Sequence, residues 1–333
     1  MKYRMLGKTG LQVSEIGFGC GNIGGLMVRA PLEERLSVVN RALELGINYF
    51  DTAAAYGNGQ SEENLGEVLK AIKPNVIIAT KFGVGREDLN DIGSAVRRSL
   101  YFSLKRLGIS SVDIFQLHTP VVLENDESSR GIGLNHILGS GGVADALDRL
   151  RSEGLIHFLG FTGLGDTEAL HQVIQSRRFD VCQAYLNLLN PSAAVDVPAN
   201  FTGQNFGGFI GKAAQNGMGV VAIRVLAGGA LGGGVSRAGY AAPTVGGALA
   251  TGGEYEADRN RAGKLGFLLK GQVSNLSQPG IRFVLGQPGV SITLVGFSSL
   301  DQIEEAVACS DLGPLPESDM EQLHLLWSTN FGL

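Results

Sequence analysis

The sequence predicts an α/β fold, a (β/α)8 TIM barrel with an N-terminal β-hairpin and a C-terminal helical tail. Eight short apolar runs alternate with stretches of helical period along most of the 333 residues. The runs are continuously apolar rather than alternating, which is typical of parallel strands buried on both faces. Barrels of this kind are routinely this long, and no composition change divides the chain, so residues 1–333 are expected to form one domain.

The predicted elements follow in chain order after a hairpin around residues 8–10. A proline at position 31 precedes the first helix, and several helices end in glycine, as helix starts and stops should. Residues 314–333 are predicted to form an amphipathic helix that carries Trp327 and covers a barrel end or reaches over the site. The strands are predicted at 13–19, 47–53, 76–81, 112–118, 156–161, 180–186, 220–226 and 292–297, and the helices between them at 32–45, 61–72, 92–107, 142–153, 166–175, 207–216 and 301–308.

The main alternative fold is a doubly wound open sheet. Eight βα units without a second domain boundary disfavour it, and we interpret GFGCGNIGG at the first strand as glycine-rich only. Two long segments, 119–142 and 227–265, follow the C-terminal ends of strands. Barrel enzymes build substrate lids at this position, although plain surface insertions would look the same.

The composition excludes several classes of partner. The net charge is −5 without a block of like charges, so neither nucleic acid nor an anionic membrane surface is expected as a partner. Three cysteines without CxxC spacing favour a reduced compartment without disulfides, and no apolar signal or membrane span is present, so we expect a cytoplasmic protein. Five scattered histidines without an HExxH motif predict no metal site.

Successive apolar runs end in, or lead directly into, chemically active side chains. INYFDTAAAYG contains Asp51 and Tyr56, NVIIATK ends in Lys81, and VDIFQLH ends in His118. In isolation each residue has an ordinary explanation, as a cap, a loop tyrosine, a solvated lysine or a structural histidine. Because the ends of parallel barrel strands open into one mouth, their joint occurrence predicts a single enzyme site.

The four residues together predict carbonyl reduction chemistry. A phenol is a poor acid at neutral pH, with an ordinary pKa of about 10. A nearby ammonium favours the phenolate, so Lys81, held in place by Asp51, is expected to activate Tyr56. His118 is expected to orient a substrate oxygen while the phenol gives it a proton. Since no side chain supplies a hydride, a cofactor is expected to carry it.

The motifs resemble the aldo-keto reductase superfamily over essentially the whole chain. MKYRMLGKTGLQVSEIGFGCGNIGG is similar to the family's hairpin and first strand, and INYFDTAAAYGNGQSEENLGEVLK is similar to its most specific signature. IIATKFG and DIFQLHTP complete the pattern. The resemblance implies one aldo-keto reductase-like barrel, an NAD(P)(H) cofactor bound without a Rossmann motif, Tyr56 as proton donor, and a catalytic tetrad of Asp51, Tyr56, Lys81 and His118.

The resemblance also implies contacts with the nicotinamide half of the cofactor. In LGFTGL, Thr162 stands where the family usually has a serine, and the asparagine that normally follows is Gly163 here. In AIRVLAGGAL, Ile223 and Arg224 replace the family's tyrosine-containing motif, and Arg224 could stack, meet a phosphate or face outward. The implied contacts in this half are Gly19, Cys20, Asn22, Asp51, Thr162, Gln183, Arg224 and Leu226.

The adenosine half corresponds to LVGFSSLDQIEEAV, which resembles the family's last strand and helix. The family's common asparagine after Glu305 is Ala306 here, and the segment has no Arg or Lys. The family default implies NADP(H), but a missing basic residue weakens the case for a 2′-phosphate, so NAD(H) stays open. The implied contacts are Gly296, Ser298, Ser299, Gln302 and Glu305.

The resemblance implies an NAD(P)-dependent oxidoreductase that acts on an aldehyde, a ketone or a sugar. FTGL and GFSS resemble the branch of the family that contains sugar dehydrogenases. A catalytically weak, nucleotide-binding regulatory subunit of the potassium-channel β type is the non-enzymatic alternative. A Schiff-base aldolase with Lys81 as nucleophile also fits a barrel, but it leaves Asp51 and Tyr56 without a role.

Overall fold

The computed structural model describes residues 1–125, 130–232, 239–242, 255–271 and 273–332. Eight parallel strands form a closed barrel in the order β3-β4-β5-β6-β9-β10-β11-β12, with β12 paired to β3. The fold class predicted from the sequence is confirmed. The strands are β1 (Tyr3–Met5), β2 (Gln12–Ser14), β3 (Ile16–Gly19), β4 (Tyr49–Asp51), β5 (Ile77–Phe82), β6 (Val112–Leu117), β7 (Val121–Val122), β8 (Ile132–Gly133), β9 (Ile156–Thr162), β10 (Val181–Tyr185), β11 (Gly219–Ile223) and β12 (Ile292–Gly296).

Helices alternate with the barrel strands, and all seven predicted helices are present. Four further helices were missed, two of them between β11 and β12 at Tyr255–Gly263 and Ser277–Leu285. The second has the sequence SQPGIRFVL, in which Pro279 and Gly280 conceal the helical period. Pro279 lies in the first turn, where its missing N–H breaks no intrahelical hydrogen bond. The helices are α1 (Leu26–Arg29), α2 (Leu32–Glu44), α3 (Gln60–Ile72), α4 (Ile92–Leu107), α5 (Leu134–Leu138), α6 (Val143–Ser152), α7 (Thr167–Gln175), α8 (Phe209–Gln215), α9 (Tyr255–Gly263), α10 (Ser277–Leu285), α11 (Leu300–Leu312) and α12 (Glu317–Ser328).

The antiparallel hairpin of β1 and β2 covers the amino-terminal end of the barrel. Leu6 and Val13 are fully buried in one apolar cluster with residues that point inward from the barrel strands. Gly7 has a φ of +52°, and a Cβ added there would lie 2.3 Å from the backbone nitrogen of Gly219. Only glycine therefore allows the hairpin turn to rest directly on the start of β11.

The structure divides the strand predicted at 13–19 into β2 and β3. The chain passes from the hairpin to the barrel at Glu15, whose side chain is buried. Its carboxylate accepts hydrogen bonds from Arg4 Nε at 2.9 Å and from Ser310 Oγ at 2.6 Å. Because Ser310 belongs to α11, this buried carboxylate ties the hairpin, the barrel and the last barrel helix together.

The C-terminal tail packs on the connection that follows β10. The indole N–H of Trp327 donates to the carbonyl of Leu188 at 2.9 Å, and its ring lies 5.5 Å from that of Phe283. Asn330 Oδ1 accepts a hydrogen bond from the backbone of Thr202 at 3.3 Å. None of the tail residues within the described ranges lines the central cavity of the barrel.

Replacing Trp327 by phenylalanine is expected to lower the free energy of unfolding by about 1–3 kcal/mol, because the buried Leu188 carbonyl loses its hydrogen-bond donor. Leu325→Ala is the matched control on the same helix, since Leu325 is 68% exposed. Urea denaturation of both variants measures the effect. An equal loss of stability in both variants would contradict the role of the indole N–H.

The two long segments have different positions relative to the barrel mouth. The segment 119–142 contains β7, β8 and α5, and its described part lines no wall of the cavity. In the segment 227–265, five described residues line the cavity, namely Gly228, Gly229, Gly232, Ala241 and Tyr255. The remainder of the lid prediction, at 126–129, 233–238 and 243–254, lies outside the described residues.

Three further sequence expectations concern cysteines, membrane spans and metals. Cys20, Cys182 and Cys309 are buried free thiols. No helix within the described ranges has the length and hydropathy that a membrane crossing needs. In the same part of the chain, no group of three or more His, Cys, Asp or Glu side chains is placed to hold a metal ion.

Candidate active site

A buried ion pair lies at the carboxyl ends of β4 and β5. Asp51 pairs in register with Ala79, so Lys81 lies two residues further along β5 and on the same face. The ammonium of Lys81 contacts Asp51 Oδ1 and donates to the carbonyl of Thr52 at 2.8 Å. Both side chains of the pair are almost completely excluded from solvent. The strands thus place a fixed positive charge below the mouth of the barrel.

Two amides hold the other oxygen of the Asp51 carboxylate. Gln116 and Gln183 donate their Nε2 hydrogens to Asp51 Oδ2 at 3.2 and 2.8 Å. Burial raises the pKa of Asp51, while Lys81 and the two amides act in the opposite direction. Burial alone would lower the pKa of Lys81, but the Asp51 carboxylate raises it above its ordinary value. Because both carboxylate oxygens accept hydrogen bonds, the pair is an ionised carboxylate and an ammonium.

Tyr56 lies directly above this ammonium. It starts the 3-10 turn Tyr56–Gly59 between β4 and α3, in which Gly57 and Asn58 have φ values of +62° and +53°. Lys81 Nζ donates to Tyr56 Oη at 3.1 Å and lies 4.7 Å from the centre of the ring. The ammonium is therefore placed to stabilise negative charge on the phenol oxygen.

His118 follows the last residue of β6 and faces Tyr56 across the mouth. The two ring centres are 5.7 Å apart, and the rings are nearly perpendicular at 88°. Burial, together with the charges of Lys81 and Arg224, lowers the pKa of His118 to about 3. The imidazole is therefore neutral at physiological pH and can donate one hydrogen bond to an oxygen in the cavity.

A cavity of about 570 Å³ opens at the carboxyl ends of the strands. Tyr56 and His118 line it, and so do Gln302 and Glu305 of α11, so one continuous space joins three of the four predicted catalytic residues to the last barrel helix. The predicted site residues that line it are Gly19, Asn22, Asp51, Tyr56, His118, Thr162, Gln183, Arg224, Leu226, Gly296, Ser298, Gln302 and Glu305.

Three predicted site residues are not among those that line the cavity. Lys81 lies beneath the floor and donates a hydrogen bond to Tyr56, which lines the cavity. The Cys20 thiol is buried within the core, and burial raises its pKa, so a contact with a cofactor would have to come from its backbone. Ser299 is the N-cap residue of α11. Its neighbour Ser298 lines the cavity, but its hydroxyl donates to the carbonyl of Gly24 at 2.6 Å.

Two helices begin at the wall of the cavity. The first residue of α10, Ser277, donates its backbone N–H to Asn275 Oδ1 at 2.8 Å, and both residues line the space. The second helix is α11, which starts at Leu300 beside Ser298. Exposed backbone N–H groups and the helix dipole make such helix starts suitable for negatively charged ligand groups.

Comparison with models of known protein families assigns the chain to one family. The model described as the Aldo/keto reductase family matches residues 15–327. The chain belongs to the aldo/keto reductase family. The family predicted from the sequence motifs is therefore confirmed.

Similar proteins within this family include sugar dehydrogenases. L-galactose dehydrogenase from Arabidopsis thaliana is 36% identical over 167 residues, which are 49% of this chain and 49% of that protein. D-threo-aldose 1-dehydrogenase from Pseudomonas sp is 28% identical over 252 residues, with coverages of 67% and 69%. The chain thus matches only about half the length of the plant enzyme.

A solved structure of the family has the same fold. An aldo-keto reductase from Bacillus halodurans, in its holo form, superposes with a TM-score of 0.72 at 22% identity, over 98% of this chain and 97% of that protein. At this identity the likeness supports the barrel architecture and its chain order alone.

The structure explains one departure from the family pattern. A Cβ added to Gly163 would lie 2.5 Å from the backbone oxygen of Gln183, so the family's asparagine does not fit there without movement. Thr162, the preceding residue, donates its hydroxyl to Gln183 Oε1 at 3.5 Å. β9 and β10 therefore approach too closely at this point for the usual side chain.

Sequence reasoning missed several residues of this aldo/keto reductase site. Gln116 lies two positions before His118 on β6, and the two-residue period of a strand is the signal that could have placed it in the barrel. Asn275 and Ser277 were missed together with α10, because the helix itself was not predicted. No motif indicated Tyr255, which also lines the cavity.

Proposed function

We propose that this aldo/keto reductase transfers a hydride between a nicotinamide cofactor and a carbonyl or alcohol substrate, such as an aldehyde, a ketone or a sugar. The observation that carries the proposal is the hydrogen bond of 3.1 Å between the buried Lys81 ammonium and Tyr56 Oη at the wall of a large cavity. Neutral His118 faces the same phenol. Together, Lys81, Tyr56 and His118 can transfer one proton to or from a substrate oxygen.

The residues have distinct roles in this proposal. In reduction, the Tyr56 hydroxyl gives its proton to the substrate oxygen, and in oxidation the phenolate accepts a proton from it. Lys81 stabilises the phenolate by charge, and Asp51 holds Lys81 in place. His118 donates a hydrogen bond to the same substrate oxygen and thereby orients it towards the phenol.

The walls of the cavity fit a dinucleotide. Thr162 and Gln183 offer polar side chains for a carboxamide, and the start of α11 offers the N-terminal end of a helix dipole for a phosphate. Gly228 and Gly229 line the same cavity and have no side chain that would hold a ligand away. When bound, the nicotinamide supplies the hydride that no side chain can provide.

Spectrophotometric assays with NADH and NADPH test the proposed function. The panel of substrates contains aldehydes and ketones for reduction. It also contains L-galactose and D-threo-aldoses for oxidation with NAD⁺ and NADP⁺, because the relatives include sugar dehydrogenases. Tight nucleotide binding without turnover on the whole panel would favour a regulatory subunit of the potassium-channel β type. A covalent adduct on Lys81 after borohydride treatment with substrate would favour an aldolase.

We also infer that NAD(H) is preferred over NADP(H), although the family default implied by the sequence is NADP(H). Glu305 lines the adenosine end of the cavity, and Arg224 is the only basic side chain among the described lining residues. A 2′-phosphate beside Glu305 would experience like-charge repulsion, whereas the carboxylate can accept a hydrogen bond from a ribose hydroxyl.

NADH is expected to bind about 10-fold more tightly than NADPH, a difference of about 1.4 kcal/mol. Quenching of protein fluorescence during titration measures both dissociation constants. Glu305→Gln should bring the dissociation constants of NADH and NADPH closer together, because it removes the repulsion between Glu305 and the 2′-phosphate. Glu304→Gln is the matched control, since the neighbouring Glu304 pairs with Arg41 at 2.8 Å on the outer surface. Tighter binding of NADPH to the parent protein would disprove the inferred preference.

A further inference from the structure

Arg224 brings an uncompensated positive charge into the cavity. It follows β11 and lines the cavity near the barrel mouth. Arg224 is half-buried, and its Nη1 is buried and has no hydrogen-bond partner. A buried donor of a charged group without a partner costs free energy. A ligand that supplies an anionic group would remove this cost.

The backbone at Arg224 is held in an unusual conformation. Its φ of +59° lies in the left-handed region, which is rare for a residue with a Cβ. Two hydrogen bonds to its carbonyl fix this conformation, from Asn187 Nδ2 at 3.0 Å and from the backbone N–H of Ala227 at 2.8 Å. Strained backbone that its surroundings hold in place is concentrated at ligand-binding sites.

The charge of Arg224 acts at the catalytic end of the cavity. Burial, Lys81 and Arg224 together lower the pKa of His118. Burial lowers the pKa of Arg224 itself, and the nearby phenols of Tyr185 and Tyr56 partly oppose this shift. The first turn of α10 packs against the residues that follow Arg224, since a Cβ added to Gly280 would lie 3.6 Å from the backbone oxygen of Val225. The influence of Arg224 on His118, which lines the same cavity, favours contact with a substrate held at the imidazole.

We propose that Arg224 binds a carboxylate of the substrate, so that the preferred substrates are acidic carbonyl compounds or sugar acids. A guanidinium matches a carboxylate with two parallel hydrogen bonds and is the side chain best suited to this recognition. The substrate class rests on the proposed oxidoreductase function, whereas the anion site itself does not. In this assignment Arg224 selects the substrate, and Tyr56 and His118 act on its reacting oxygen.

Paired substrates that differ in one charge test the proposal. Reduction of succinic semialdehyde is compared with that of butanal, and oxidation of D-galacturonate with that of D-galactose. In the parent enzyme kcat/KM is expected to be higher for the acid of at least one pair. Arg224→Met should lower this acid preference, the ratio of kcat/KM for the acid to kcat/KM for its neutral partner, by about 10- to 100-fold. Arg224→Lys should restore part of it.

Two controls separate the substrate role of Arg224 from other roles. Arg98→Met removes the same charge from the outer surface of α4, where Arg98 pairs with Asp88 at 2.9 Å, and should leave the acid preference unchanged. Nucleotide dissociation constants of Arg224→Met should stay within a few-fold of the parent. Weaker nucleotide binding with an unchanged acid preference would assign Arg224 to the cofactor and overturn the proposal.

A binding measurement distinguishes failure of the anion site from failure of the proposed activity. Calorimetry on the nucleotide-saturated protein compares D-gluconate with D-sorbitol, which has a hydroxymethyl group in place of the carboxylate. Binding of gluconate that is lost in Arg224→Met supports the anion site even if no substrate turns over. No acid preference in either substrate pair, together with equal binding of gluconate and sorbitol, would overturn it.

Discussion

Tyr56→Phe is expected to lower kcat by about 10²- to 10⁴-fold, the range that general acid–base catalysis contributes. The substitution removes one oxygen, to which Lys81 Nζ donates at 3.1 Å, and keeps the ring that faces His118. Nucleotide binding and the fold are expected to tolerate the loss of that oxygen. Steady-state rates in both directions, combined with fluorescence titration of the nucleotide, measure the effect.

The control for this substitution is Tyr101→Phe. Tyr101 is on α4 and is 63% exposed, so its hydroxyl should be dispensable for activity and stability. A Tyr56→Phe variant that keeps rates within a few-fold of the parent would show that another group transfers the proton. A large loss of nucleotide affinity would instead show that Tyr56 holds the cofactor.

Lys81→Met is expected to lower kcat by a similar factor and also to destabilise the protein. The substitution leaves Asp51 with a buried carboxylate that only Gln116 and Gln183 still contact. Loss of one partner of a buried ion pair costs about 3–5 kcal/mol of stability. Lys105→Met, on the exposed face of α4, removes the same charge without either effect.

The stability loss in Lys81→Met has an expected dependence on pH. Burial is the largest influence on the pKa of Asp51 and raises it, and without Lys81 nothing charged opposes this. A carboxyl group whose pKa is raised on folding stabilises the folded state at low pH and loses that contribution as pH rises through the folded value. Urea denaturation should therefore show a larger difference from the parent at about pH 8 than at about pH 5.

The double variant Asp51→Asn/Lys81→Met separates stability from catalysis. It removes both charges of the pair, so it should recover much of the lost stability without recovering kcat. Recovery of both would show that Lys81 serves the fold only. The inactive but stable protein would in turn confirm that the ammonium acts on the phenol.

The positions of three candidate catalytic residues could be predicted because they follow from the barrel alone. Asp51, Lys81 and His118 occur where apolar runs end, and strand ends of a parallel barrel meet at one mouth. Tyr56 was identified through its motif. Gln116 obeys the same geometry, but glutamine carries no charge that makes it conspicuous within an apolar strand. Its contact with Asp51 was visible only in the structure.

Other features depend on conformations that the sequence does not reveal. Arg224 has a φ of +59°, and its carbonyl accepts hydrogen bonds from Asn187 and Ala227, neither of which the sequence indicates. The helix α10 was missed because Pro279 and Gly280 conceal its periodicity. The segment 119–142 follows a strand end as a lid would, yet none of its described residues lines the cavity. Val121 instead lies behind the wall, where its N–H donates to the carbonyl of the lining residue Leu164 at 2.7 Å.

The Asp51 carboxylate is held by side chains from three other strands, namely Lys81 of β5, Gln116 of β6 and Gln183 of β10. The proposed proton-transfer groups are consequently tied to four strands of the barrel, while the five described residues of the segment 227–265 that line the cavity make none of these contacts. Mutations at those five residues would change the shape of the cavity and leave the hydrogen bonds of Asp51 in place. A barrel built in this way can acquire new specificities in small steps, each of which begins from a working catalyst.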